Sequence, residues 1–272
     1  MRVVSFNVNS VRQRLPHLEA LVSTHAPDVI GLQETKVTDE EFPVADLESL
    51  GYHVEFHGQK THYGVAIMSK LAPVRVTKGF AHDDADAQRR WIGIEIKSGK
   101  KKPVTVYNGY FPQGDNREHP TKFPAKAAFY RDVLAHLNEN HSPKDQIVVM
   151  GDFNVAPSDL DIGIGPDNTK RWLKTGKASF LPEERDWYKA LTDWGLVDSF
   201  RAQHPDEDAL FSWFDYRSRG FEREPKRGLR IDLILTTAAL AKRLNASGCD
   251  YEIRGMAKPS DHCPIWSEWH DR

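Results

Sequence analysis

Apolar positions along the chain fall in short runs rather than in long blocks. Runs at 3–8, 29–32, 54–56, 65–68, 92–96, 104–107, 147–150, 231–235 and 265–269 are often β-branched and are bounded by Gly, Pro, Asn or Asp, so they predict strands. Ile92-Gly93-Ile94-Glu95-Ile96 alternates with period two, the pattern of a strand with one wet face. Helical spacing appears at 15–22, 129–137 and 187–194. A further helix start is written in Ser179-Phe180-Leu181-Pro182-Glu183-Glu184, with Pro near the first turn and acids after it. Strands mixed with helices predict an α/β or α+β sandwich. No linker or low-complexity segment divides 1–272, so one domain is expected. The longest irregular stretches fall at about 111–124, 156–176 and 214–228, and long loops in a compact domain are usually functional. A faint internal echo links Val3-Val4-Ser5-Phe6-Asn7-Val8 to Val148-Val149-Met150-Gly151-Asp152-Phe153-Asn154-Val155. Chance explains so short a match; two related half-sheets are the alternative.

Composition narrows the picture. Hydrophobic residues make up 39% and charged residues 28%, a globular balance with material for a sizeable core. The longest apolar runs have four residues, far short of the roughly 20 that a spanning helix needs. The first residues lack a secretory apolar stretch, and Cys249 and Cys263 are the only cysteines, which suits a reduced, cytoplasmic setting. The net charge of −2 excludes a globally cationic coat, so any polyanion must be held by local patches. Two exist. Residues 170–177 carry Lys170, Arg171, Lys174 and Lys177 without an acid, beside Trp172. Residues 217–230 set six basic residues against Glu222 and Glu224, with Trp213, Phe214 and Tyr216 at the edge. Solvated faces would look the same; basic charge with aromatics suits a phosphate backbone and its bases.

The unusual feature is a repeated placement of polar groups where strands end. Asn7 and Asn9 follow the first strand, Glu34 the second, Tyr110 the run at 104–107, and Asp152 with Asn154 the run at 147–150. Each alone reads as a turn or loop residue. Pooled at one sheet edge, they would make an oxygen-rich cleft suited to Mg²⁺. Asp232 lies within an apolar strand and needs a partner, since a lone buried charge is costly. That partner is Arg230 or backbone amides on one reading, and His262 of Ser260-Asp261-His262 on the other. An Asp–His couple would orient the imidazole and favour its cationic form. Cys263 beside His262 points to the opposite face of a strand, two cysteines make no zinc site, and no phosphate-binding P-loop is present.

Eight segments, SFNVNSVR, DVIGLQETK, HYGVAI, NGYFPQG, GDFN, SWFDYRS, GLRIDLIL and KPSDHCPI, resemble in order the motifs of the exonuclease III/abasic-endonuclease family of deoxyribonuclease I-like phosphoesterases. The resemblance spans about residues 1–269. It implies a four-layer α-β-β-α sandwich, two packed mixed sheets flanked by helices, with the cleft at one edge. It implies a monomer hydrolysing double-stranded DNA with Mg²⁺ or Mn²⁺: incision 5′ to abasic sites, 3′→5′ removal of nucleotides from duplex ends, and release of 3′ blocking groups. By motif, Glu34 would be the principal metal ligand, with Asn7, Asp152, Asn154, Asp261 and His262 in or around the metal site. Asp152 would position or deprotonate water, Asn154 would hold a phosphate oxygen, and Tyr110 would donate to the phosphate or aid the leaving group. His262 would contact the phosphate, oriented by Asp232; which of Asp152 and His262 takes the proton stays open. Arg90, Gln113 and Lys122 match DNA-contact positions, and Trp213, Leu229 and Ile231 match a pocket for a base-free sugar. Related folds cleave phospholipids or inositol phosphates, and a binding module that has lost catalysis is a further alternative. The absence of a membrane-binding run disfavours the first, and the full set of site residues disfavours the second.

Overall fold

The computed structural model describes residues 1–97, 99 and 102–270. Twelve strands form two six-stranded mixed sheets among the described residues. The first has the order β11-β12-β1-β2-β4-β3, built from β1 (Arg2–Asn7), β2 (Val29–Gln33), β3 (His53–His57), β4 (Val65–Ser69), β11 (Leu244–Cys249) and β12 (Ile265–Trp269). The second has the order β5-β6-β7-β8-β10-β9, built from β5 (Arg75–Lys78), β6 (Trp91–Ile96), β7 (Val104–Tyr110), β8 (Ile147–Asp152), β9 (Leu196–Asp198) and β10 (Asp232–Thr237). The nine expected strands are all present. β5, β9 and β11 were not expected: they are short, or, like Leu244-Asn245-Ala246-Ser247-Gly248-Cys249, too poor in large apolar side chains to show a period.

Side-chain alternation makes the layers. Outward residues of the first sheet, such as Val4, Phe6, Ile30 and Leu32, pack on α1 (Leu15–His25) through Leu18 and Leu21. Outward residues of the second sheet, such as Val149, Leu233 and Leu235, pack with Phe129, Tyr130, Val133 and Leu137 of α3 (Lys122–Asn140) and Leu191 of α5 (Pro182–Trp194). Inward residues of both sheets, including Val3, Val29, Val106, Val148, Met150 and Ile234, share the middle core. Three cores separate four layers, as expected. The remaining helices are short: α2 (Val44–Glu48), α4 (Pro166–Thr175), α6 (Ser199–Gln203), α7 (Ala238–Ala241) and α8 (Tyr251–Arg254).

Two expectations about loops change. The stretch 156–176 is not wholly irregular, because its second half is α4, with Pro166 at its start and Gly176 (φ 70°) as its left-handed end. The stretch 111–124 ends earlier, since Lys122 is already the first residue of α3. The strands of the internal echo, β1 and β8, stand third from corresponding edges of the two sheets, each between an antiparallel and a parallel neighbour.

The middle core is not entirely apolar. Asn108 of β7 donates to the carbonyls of Leu32 and Ala66 across the sandwich, at 2.9 Å each, and accepts from Gln33 Nε2, which also donates to Ser5 Oγ at 3.0 Å. Gly31 leaves the room: a Cβ there would sit 2.9 Å from the Asn108 side chain and 2.5 Å from Met150. This bridge fixes one sheet's offset on the other just behind the cleft. Replacing Asn108 with Leu takes its amide donor away from the Leu32 and Ala66 carbonyls in a dry layer, and an unmet buried polar group costs about 1–3 kcal/mol. Asn108→Leu should therefore lower the free energy of unfolding by that amount, read as a lower urea midpoint at unchanged slope; an unchanged midpoint would remove the bridge from the fold's stability.

Candidate active site

The inward alternation that builds the middle core continues into the site. Val3, Ser5 and Asn7 follow one another on β1's inner face, Val148, Met150 and Asp152 on β8's, and Ile234 and Asp232 on β10's. The last position of each series is polar, so the apolar sandwich opens into a polar cleft at one end. Glu34 follows β2, which lies parallel to β1, with Asn7 opposite Gln33. Tyr110 ends β7 opposite Asp152 on β8.

The turns at these strand ends are backbone-unusual. Asn9, Glu34, Lys36, Tyr63 and Asn154 all take positive φ, between 44° and 60°. Left-handed geometry in non-glycine residues costs energy and concentrates where the surroundings over-determine it. Here the determinants are visible. Asn154's backbone N–H donates to Asp152 Oδ1 at 2.9 Å, and its side-chain Nδ2 donates to the Phe111 carbonyl at 2.9 Å.

Asn7 is the hub of the metal-side cluster. Its Nδ2 donates to Glu34 Oε1 at 2.9 Å and to Asp152 Oδ2 at 3.0 Å, joining the two sheets. Glu34 also pairs with Lys36 at 2.9 Å. Burial opposes Glu34's charge, but Lys36, the Asn7 amide and His262 hold its carboxyl below the usual range. The Tyr110 phenol hydrogen-bonds Glu34; burial and the Glu34 charge push its pKa well up, so it remains a neutral donor.

Asp152 and Asp232 lie directly opposite one another on antiparallel β8 and β10. His262 separates them. Its Nδ1 donates to Asp232 Oδ2 at 2.8 Å, and its Nε2 lies 3.7 Å from Asp152 Oδ2. Burial alone would lower the imidazole pKa, but Asp232 and then Asp152 outweigh it and raise it to about 10. Asp152 moves the other way from an ordinary carboxyl: burial raises it to about 7 despite His262, with Asp232 and Glu34 adding to the rise. Asp232 is thus the partner of His262, and the pair favours the cationic form of the ring. Arg230, the alternative partner for Asp232, is instead buried between Asp161 (2.6 Å) and Asp198 (2.7 Å).

Glu34, Asp152 and His262 each offer an atom within 4.8 Å of the others. The carboxylate oxygens of Glu34 and Asp152 suit a hard divalent cation, which completes its shell with water and phosphate. His262, the third member of the trio, has its Nδ1 on Asp232 and turns its Nε2 toward Asp152. Asp261 stands outside the trio: its oxygens accept from Asn9 Nδ2 at 2.9 Å and Trp213 Nε1 at 3.1 Å.

The expected DNA contacts divide. Gln113 and Lys122 are exposed at the rim, Lys122 paired with Asp115 at 2.8 Å. Arg90 is 8% exposed and does not reach outward. Its guanidinium lies between the rings of Tyr63 and Tyr110, at 4.1 and 4.5 Å, and donates to the Tyr110 carbonyl at 3.0 Å, so it holds Tyr110 in place. Leu229 and Ile231 are 1% and 3% exposed; with Ala156 and Phe180 they form a closed apolar floor, and of the expected pocket residues only Trp213 keeps an exposed part. Among the basic residues of 217–230, Arg217, Arg219, Arg223 and Arg227 are exposed, while Lys226 pairs with Glu224 and Arg230 is interior. The sequence reading missed Ser212, whose Oγ accepts from the backbone N–H of both Ile231 and Asp232, and Ser260, whose Oγ donates to the Asn7 carbonyl. Both tie the His262 segment to the strand ends, and small hydroxyls carry no sequence signal for that.

Known proteins share this family and fold. Residues 4–262 match the Endonuclease/Exonuclease/phosphatase family. The chain belongs to that family. It is 54% identical over 269 residues to the Exodeoxyribonuclease III of Haemophilus influenzae, covering 99% of this chain and all of that one. A 3′ phosphatase from Neisseria, solved with a product DNA hairpin, superposes with a TM-score of 0.89 at 36% identity over 99% of both chains. An AP endonuclease from Archaeoglobus fulgidus superposes with a TM-score of 0.90 at 34% identity, again over 99% of both.

The His262–Asp232 pair makes a solution prediction. Removing the Asp232 charge removes the main influence that keeps the ring protonated. Asp232→Asn should move the His262 titration down from about 10 toward the ordinary imidazole value near 6.5, read by NMR of the ring nitrogens. A ring that still titrates near 10 would assign its charge to Asp152 instead.

Proposed function

We propose that this chain is an exodeoxyribonuclease III-type nuclease. It hydrolyses DNA phosphodiesters with Mg²⁺ or Mn²⁺, incising duplex DNA 5′ to abasic sites, removing nucleotides 3′→5′ from duplex ends and clearing 3′ blocking groups as a monomer. The carrying observation is the cluster of Glu34, Asp152 and cationic His262 at the open end of the sandwich. Full-length likeness to an exodeoxyribonuclease III and to an AP endonuclease supports the substrate.

The residues divide the work. Asp152, whose carboxyl burial pushes up and which faces His262 Nε2 across 3.7 Å, takes the proton of the attacking water, while His262, favoured as a cation by Asp232, donates to the phosphate. His262, the Asn154 side-chain amide and the neutral Tyr110 phenol meet the phosphate oxygens as charge accumulates on them. Tyr110 is also placed to donate toward the leaving oxygen. Glu34, anchored by Asn7, would hold the divalent cation with Asp152 beside it. That cation would supply charge stabilisation stronger in the transition state than in the ground state.

Substrate binding falls to the rim. Lys170, Arg171 and Lys174 line the exposed side of α4, with Lys177 just beyond it, and Lys177 lies 3.9 Å from the Trp172 ring. These and the exposed arginines of 217–227 suit the backbone of a duplex without reading its sequence. Trp213, half-buried over the floor of Leu229, Ile231, Ala156 and Phe180, supplies the apolar contact for a base-free sugar flipped from the stack. Leu229 and Ile231 support that contact from below.

Nicking of a fluorescent abasic duplex tests the reading. Wild-type protein should cut in Mg²⁺ and stop in EDTA, and Glu34→Ala should lose at least about 100-fold while its melting temperature holds. Full activity of Glu34→Ala at low millimolar Mg²⁺ would remove Glu34 from the metal site. Binding tests the rim separately. The affinity for duplex should fall with salt, and the triple variant Arg217→Ala, Arg219→Ala, Arg223→Ala should flatten the log–log slope, by about 0.9 for each phosphate that is no longer neutralised. An unchanged slope would place the duplex elsewhere.

A further inference from the structure

Lys126 sits in the second turn of α3 on the apolar stripe of Phe123, Tyr130, Val133 and Leu137, and its side chain is 0% exposed. Its partner Glu184, in the first turn of α5, is also 0% exposed. A buried ion pair seldom stabilises more than a well-packed apolar pair would, so what it positions is the sharper question. The Lys126 ammonium donates to three acceptors from three segments: Glu184 Oε1 at 2.5 Å, the Asn154 carbonyl at 2.7 Å and the Gln113 carbonyl at 3.3 Å. Glu184 Oε2 in turn accepts from the backbone N–H of Ser179 and Leu181, at 2.8 Å each. The Ser179 carbonyl accepts from Ala156 N, two residues beyond Asn154.

We propose that Lys126 and Glu184 are positioning residues for phosphodiester cleavage: together they clamp the backbone of the 152–156 turn so that the Asn154 side chain faces the phosphate. The turn is gripped at successive points. Phe153 N donates to the Ile231 carbonyl at 2.9 Å, Tyr130 Oη donates to the Phe153 carbonyl at 2.7 Å, and Lys126 holds the next carbonyl. Asn154 has a φ of 51°, a conformation that relaxes to negative φ when unsupported and swings the side chain away. An ammonium fans three donors out tetrahedrally from one atom, where a guanidinium spreads its donors in a plane, which accounts for a lysine on an otherwise apolar stripe. The proposal rests on the reading of Asn154 as the phosphate-oxygen donor.

The test is a mutant cycle on the abasic duplex at saturating Mg²⁺, well below the melting temperature. The charge-neutral variant Lys126→Met/Glu184→Gln should lose about 10- to 100-fold in kcat, the size expected of a misplaced group, with KM within about threefold of wild type. The same change made in an Asn154→Ala background should cost almost nothing more, because both act through one side chain. Losses that multiply, with Asn154→Ala itself impaired, overturn the clamp and leave Asn154's role standing. An Asn154→Ala variant with wild-type kcat overturns the reading of Asn154 and the clamp with it. Leu137→Ala, a core deletion elsewhere on α3, controls for stability and should keep kcat at a comparable drop in melting temperature; an equal kcat loss there would make the effect structural. If the double variant does not fold, Glu184→Gln alone, which keeps an oxygen for the ammonium, enters the cycle with a smaller coupled loss expected.

Discussion

Two carboxylates directly opposite on antiparallel strands are an electrostatic liability, and the site is arranged around that fact. Asp152 and Asp232 face each other across β8 and β10, buried, with Glu34 close by. Like charges so placed destabilise a sheet. His262 offsets the liability by taking a position between them, and the crowding in turn makes His262 a strong base and Asp152 a weak acid. Neither property belongs to one residue. A cationic donor for phosphate and a carboxylate able to accept a proton near neutrality arise together from a single constraint on charge in a dry layer.

That layer explains why the site stands where it does. The middle core is closed by apolar side chains along most of its length and by Asn108, Gln33 and Ser5 further on, before it opens at Asn7, Asp152 and Asp232. Polarity grows stepwise along the inner face of the strands. The inter-sheet amides keep the two sheets in register, so residues from β1 and β8, far apart in sequence, meet within 3.0 Å. A shift of one residue in any of these strands would turn its polar end outward and dismantle the cluster.

Much of this was legible in the chain. Short, often β-branched apolar runs bounded by Gly, Pro, Asn or Asp located the nine strands that carry the core, and the eight motifs located Asn7, Glu34, Tyr110, Asp152, Asn154, Asp232 and His262, all of which the fold brings to one cleft. Contacts that depend on strand register or on side-chain reach were not legible. Asp152 opposite Asp232 is a register fact. Arg230, two residues from Asp232, is carried to Asp161 and Asp198 because alternate residues of an irregular approach need not share a face. Arg90 matches a DNA-contact position of the family, and in this fold two tyrosine rings enclose its guanidinium. Lys126 did leave a signal: a lysine in phase with Phe123, Tyr130, Val133 and Leu137 sits on the buried stripe of an amphipathic helix, and burial of an ammonium demands a partner.

The division between floor and rim has a physical logic. Chemistry on a phosphate needs donors fixed to a few tenths of an ångström, and those donors hang from strand ends and a clamped turn. Recognition of a duplex needs charge spread over many phosphates, and the exposed lysines and arginines lie on α4 and the segment 217–227, outside the sheets. With a net charge of −2, this protein has little long-range attraction for a polyanion from its bulk, so on the proposed function that attraction falls to the basic residues of α4 and 217–227. Local charge of that kind orients a duplex as well as holding it. Trp213 joins the two parts: its ring covers the apolar floor while its indole N–H holds Asp261, next to His262. A sugar seated against that ring would therefore be sensed one residue away from the cation that meets its phosphate.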